Sequence, residues 1–285
     1  MTKTHTFLRM LLNQCLNKNA WKIFISLVLC TVLQSIVFSI LISPALLLFM
    51  SGQNSGFLAI FALLGLFFAF VCGFMLFYGL ETICSRMILR KYATIGYLFI
   101  AFSRFDRRVF RASCIFSALS ILILFSASIF VIIFSDDFQK SLILASVIST
   151  IILILLYVPF SFVFPLLHYY SDLSLSDSFK KSAKITFSHF FEYVSFLFLA
   201  GGIDLITFLL TILAISVIPE TGENFVSAIQ TLLSFFGFYV QFKMLTRISV
   251  SFPLYCYYIE EIVKIHGSDF NLPALEDSKS DEHSL

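Results

Sequence analysis

The sequence predicts an all-α fold: a polytopic helical membrane bundle with six transmembrane helices and amphipathic helices on its inner face. Three observations lead there. The 285 residues are 59% hydrophobic and only 13% charged, with mean hydropathy +0.95, whereas a soluble domain is about 45–50% apolar and about 25% charged. Six near-unbroken apolar runs, at about 23–50, 57–80, 112–134, 141–165, 194–218 and 225–243, each suit a crossing, which takes about 20 residues. The cations are sided. The segments before 23, at 81–111, at 166–193 and from 243 onward hold 4, 7, 3 and 4 of the 19 Lys and Arg residues, and the opposite loops hold only Lys140. Basic residues beside a span resist translocation, so both termini are placed in the cytoplasm.

Residues 1–22 carry Lys3, Arg9, Lys18 and Lys22 and no acid. Phe7, Leu8, Met10, Leu11, Leu12 and Leu16 recur at helical spacing, which predicts a short amphipathic helix at the inner interface. Trp21 precedes the first span, where an indole prefers the headgroup region. The apolar run from Ile23 to Met50 is longer than the ~7–15 residues of a signal-peptide core, so it is read as a retained span. Pro44 is expected to kink or end that helix near the outer face. An uncharged turn, Ser51–Ser55, leads into the second span and makes a hairpin.

The segment 81–111 is the most basic, with Arg86, Arg90, Lys91, Arg104, Arg107, Arg108 and Arg111. Leu98, Phe102, Phe105 and Val109 repeat every three or four residues. The expectation is a helix lying on the inner leaflet, with those seven cations as candidate contacts to anionic headgroups; the bland alternative is an ordinary positive-inside loop. Ser135–Lys140 is an outer turn, and Pro159 and Pro165 bend the exit of the fourth span. In the second connector, Ser174 and Asp177 have capping-box spacing. Leu175, Phe179, Ala183, Phe187 and Phe190 then form an apolar stripe with Lys180, Lys181 and Lys184 elsewhere. The hairpins 57–134 and 141–218 thus share a plan that suggests an internal repeat.

After the sixth span, 248–263 is apolar and aromatic and flanked by Glu260 and Glu261, which predicts a re-entrant or interfacial helix. Residues 1–265 form the membrane domain; 266–285 form an acidic tail expected to be disordered. Cys15, Cys30, Cys72, Cys84, Cys114 and Cys256 include no C-x-x-C pair and are expected to be reduced and structural.

Pro159-Phe160, Tyr169-Tyr170-Ser171-Asp172, Ser176 through Ser182, and Ser249 through Tyr255 resemble the motifs of a poorly characterised bacterial family. These are the YciC-like integral membrane proteins, related to the membrane domain of glycerophosphodiester phosphodiesterases. The resemblance covers roughly the second half and implies a six-helix protein of the bacterial cytoplasmic (inner) membrane. It implies little about activity. Phe179 stands where the family usually has Ala or Leu beside a small residue, and Thr186–His189 replaces a Gly that often follows the connector.

Asp204 is the one acid placed well inside a span, about 15 Å from its inner end. Gln34 and Ser234 fall at similar depth, and Gly201 and Gly202 permit close helix approach. A proton- or cation-responsive site is one reading of this layer. A neutral carboxyl that holds helices together is the other, favoured because no intramembrane Lys or Arg matches its depth.

His168 and His189 lack ligand spacing for a metal. No nucleophile elbow or phosphate loop is present, so no enzyme activity, catalytic residue or cofactor is expected. A net charge of +2, with cations beside spans, gives no support for nucleic-acid binding. The leading function is a non-enzymatic structural or lipid-interacting component whose partner is the bilayer and its anionic phospholipids. A small-solute or ion transporter using the Asp204 layer comes second, and a lipid-modifying enzyme last.

Overall fold

The computed structural model describes residues 3–50, 56–89, 91, 93–134, 152, 157–217 and 224–263, and no strand occurs among them. Four described helices are long and apolar enough to cross a membrane: Asn19–Ser43, Ile60–Ile88, Arg107–Ser126 and Phe190–Thr211. The protein is membrane-embedded. The expected fourth span lies largely outside the described residues, as do the outer loops and the acidic tail.

Helix α1 runs unbroken from Lys3 to Met50. Residues 1–22 are not a separate interfacial helix, which corrects that expectation, and Pro44 does not end the helix. No Gly or Pro interrupts residues 3–43, and extending a helix is far easier than nucleating one. The stripe of Leu8, Leu12 and Leu16 faces protein and not lipid, at 8% exposure or less. Trp21 is exposed.

Helix α2 (Gly56–Ile88) packs antiparallel on α1. It outruns the predicted end at 80 by two turns, which carries Glu81 into the core. Next come a 3₁₀ turn, Ile95–Phe99, and a one-turn helix α3, Ile100–Ser103. The backbone breaks at Phe105, whose φ is 37°, a conformation few residues other than glycine adopt. Helix α4 begins at Arg107 and runs to Phe134. The predicted single helix on the inner leaflet is therefore replaced by two short turns and a break. Its stripe divides: Leu98 and Val109 are fully buried, while Phe102 and Phe105 face outward. The cause is Gly79 of α2. A Cβ there would sit 2.1 Å from the Leu98 carbonyl oxygen, so the missing side chain lets the turn dock backbone-to-backbone.

After a 3₁₀ turn at Val158–Phe160, helix α5 (Val163–Tyr169) is short and buried. Helix α6 (Leu175–Ser188) follows, capped by Ser174, whose Oγ accepts the Asp177 N–H. Helix α7 (Phe190–Val217) and helix α8 (Asn224–Tyr257) form the second long hairpin. Helix α8 passes through Pro253 into a π-turn, Tyr258–Val263, so the predicted re-entrant segment is instead the continuation of the last long helix.

The main core lies at the predicted cytoplasmic ends. There Leu8, Leu12 and Ile23 of α1 meet Leu80 and Ile83 of α2, Phe162 and Leu166, Tyr193 and Phe196 of α7, and Leu254 and Tyr255 of α8. Further along, the helices present Ile40, Ile60, Leu64, Leu122, Leu209, Leu232 and Phe235 outward. Such residues are stable only against lipid, so the same chain is packed by protein at one end and solvated by hydrocarbon at the other.

Candidate functional site

Asp204 is 6% exposed and faces α8. Lys243 Nζ donates to its Oδ1 at 3.0 Å. Arg247 Nη1 lies 3.4 Å from Oδ2, too poorly aligned for a hydrogen bond, and reaches the Ala200 carbonyl at 3.5 Å. The carboxylate is thus held by two cations that the sequence reading placed at the inner face. Gly201 packs on Ile248 and Met244, and Gly237 on Thr211, which sets Asp204 level with about residue 244. This corrects the expectation that no cation shares its depth.

The predicted polar layer does not assemble. Ser234 lies ten residues along α8 from that level, about 15 Å away, and is exposed. Gln34 is also exposed, and its amide covers Gly73 of α2.

Glu81 is a residue that sequence reasoning missed. It is 1% exposed, and neither carboxyl oxygen has a hydrogen-bond partner among the described residues. By hydropathy it is the first residue past a span; only the extra turns of α2 bury it.

The basic segment divides by role. Arg104, Arg107 and Arg111 are exposed on the rim where α4 begins, and Lys91 is exposed nearby. Arg86 lies 4.4 Å over the Tyr97 ring. Arg90 falls outside the described residues. Arg108 is not available to headgroups. Its guanidinium bonds both carboxylate oxygens of Asp106 and donates to the carbonyls of Tyr170, Ser171 and Leu173. It ties the start of α4 to the second connector. Partial burial raises the Asp106 pKa, but the side-chain and backbone bonds from Arg108 outweigh it and hold the carboxyl below its usual range.

The connector buries an unexpected face. Ser178, Ser182 and Thr186 of α6 are fully buried, while Phe187 of the predicted stripe is 68% exposed. The reason is the break around Pro159, which leaves backbone groups without helical partners. Ser182 Oγ accepts the Phe162 N–H at 3.1 Å and donates to the Pro159 carbonyl at 2.9 Å; Thr186 Oγ1 donates to the Val158 carbonyl at 3.3 Å. The signal was in the sequence, as hydroxyls at 174, 178, 182 and 186 with a spacing of four, but hydropathy ranks them as surface. Ser182→Ala leaves the buried Phe162 N–H bare and the Pro159 carbonyl with only the 3.4 Å bond from Thr186 Oγ1, so a loss of about 1–3 kcal/mol is expected. Denaturant titration in detergent micelles reads it, and wild-type stability would refute the role.

Among the described residues, no three His, Cys, Asp or Glu side chains are grouped to hold a metal, and all six cysteines are free. Burial, helped by repulsion from Arg86 and Lys91, pulls the His168 imidazole down to about 4, so it is uncharged near pH 7. Comparisons with protein-family models, curated proteins and solved structures give no match.

Proposed function

We propose that the chain is a six-span, non-enzymatic component of the bacterial cytoplasmic membrane, with both termini inside, that binds anionic phospholipid at its inner face. The resemblance of the motifs quoted above to those of the YciC-like proteins supports the six-span reading. One observation carries the lipid reading: Arg104, Arg107 and Arg111 stand exposed beside the exposed rings of Phe102 and Phe105. Cations next to outward aromatic rings suit the headgroup layer, where each Lys or Arg contributes about 1 kcal/mol toward an anionic surface. The transporter reading has no converging polar layer among the described residues.

The test is reversal of these three charges. Arg104→Glu, Arg107→Glu and Arg111→Glu together are expected to weaken the preference for phosphatidylglycerol over phosphatidylcholine at least tenfold. Lipid partitioning into nanodiscs measures it. An unchanged preference would count against the reading, and Arg108 is left intact because its loss would disturb the fold.

A further inference from the structure

A second basic surface lies apart from the arginine rim. Helix α6 and the π-turn at Tyr258–Val263 form the walls of an open groove of about 470 Å³, lined in part by Lys180, Lys184, Ser188, His189, Ile259 and Glu260. A volume of that order suits a small ligand or headgroup.

Residues four apart share a helix face, so Lys180, Lys184 and Ser188 stand in line along α6. Both lysines are exposed, and neither has an ion-pair partner among the described residues. The opposite wall carries Glu260, which is 9% exposed. Its charge is already answered, because Lys181 Nζ and Tyr170 Oη both donate to its Oε2, and Lys181 also lies 4.1 Å over the Tyr170 ring. The other acid of the lining, Asp177, accepts from Ser174 Oγ at 2.6 Å. His189 closes one end, with Nδ1 3.5 Å from Glu192 Oε2. Two ammonium groups and the Asp177 carboxylate therefore face the groove without an ion-pair partner among the described residues, beside the Ser188 hydroxyl, which leaves the cations in excess.

Its position identifies the source of the anion. The chain turns from α6 directly into the α7 span, and at that turn Phe187 and Phe191 are 68% and 84% exposed. Exposed phenylalanines at a span end suit the boundary between headgroups and acyl chains. Val194 and Phe198 continue an exposed apolar track along α7. A free phosphate has no use for such a track; acyl chains do.

We propose that this groove is a phospholipid site, with Lys180 and Lys184 on the phosphate oxygens of an anionic headgroup, Ser188 beside them, and the acyl chains along Phe191, Val194 and Phe198. It rests on the inner-leaflet orientation given under Proposed function, but not on the arginine rim.

The experiment uses the full chain in phosphatidylcholine nanodiscs doped with phosphatidylglycerol, with retained lipid counted by native mass spectrometry. Lys180→Gln with Lys184→Gln is expected to lower tightly retained phosphatidylglycerol at least tenfold, and Lys180→Arg with Lys184→Arg to keep it. Circular dichroism checks that these exposed changes leave the helices intact. The arginine-rim variant is expected to keep the retained lipid while losing bulk preference. If the rim variant changes neither quantity, the rim reading fails and the groove stands. Retention unchanged in the glutamine variant overturns the groove. Equal loss in rim and groove variants also overturns it, by showing a diffuse surface effect. Displacement by millimolar inorganic phosphate would assign the site to a soluble anion, and a newly protease-sensitive 266–285 with retention unchanged would assign it to the acidic tail; either result overturns the lipid.

Discussion

Gly79→Ala is expected to destabilise the protein by about 3 kcal/mol. Two effects oppose each other. Alanine is the better helix former by about 1 kcal/mol. Against that, its Cβ would meet the Leu98 carbonyl oxygen, carbonyl carbon and Cα at 2.1, 2.6 and 2.7 Å. All three are backbone atoms, so no side-chain rotation relieves the contact. The turn must lift off, which unpacks Leu98 and Ala101, both 1% exposed or less. Overpacking costs about 1–3 kcal/mol, and the unpacked side chains add to it, so the clash outweighs the propensity gain. Gly96→Ala is the control, because a Cβ at Gly96 meets only Thr94 Oγ1, at 3.7 Å. Unfolding in mixed micelles should separate the two variants clearly. Equal stability would show that the turn does not depend on the bare face of α2.

Asp204→Ala is expected to cost about 2–3 kcal/mol. Removing one member of a buried ion pair typically costs about 3–5 kcal/mol, because the partner is stranded. Here the side chains of Lys243 and Arg247 keep 44% and 32% exposure, so they retain some solvation and the figure is discounted. A double-mutant cycle with Lys243→Met tests the cause. Coupling of about 1 kcal/mol or more between the two sites is the expected result, and additive losses would show that the pair contributes nothing. The same variants answer the transport reading. Asp204→Asn in liposomes should leave solute and proton flux unchanged, and a wild-type flux that the substitution abolishes would restore Asp204 as a functional group.

Much of the architecture was legible in the chain. The hairpins α1–α2 and α7–α8 follow from apolar runs separated by short polar turns. The capped start of α6 follows from Ser174 and Asp177. What went unread has a common origin. Asp204 appeared unmatched because Lys243 and Arg247 lie on another helix, and their depth relative to Asp204 depends on the offset between α7 and α8. Glu81 looked interfacial because the length of α2 is set by what it packs against and not by where its hydropathy falls. The buried face of α6 was misassigned because hydropathy ranks serine below phenylalanine. The fold needed hydroxyls there to serve the backbone broken around Pro159.

By itself the sequence determined that the chain lives in lipid and how its longest helices run. Run length and the placement of cations act through the bilayer, a solvent that meets every segment alike. The tertiary structure alone decided which charges are matched and which are free. Arg108 is consumed by a connector, Asp204 is paired, and Lys180 and Lys184 are left facing an open groove, because an ion pair needs its two groups within about 4 Å, and only the packing of one helix on another sets that distance.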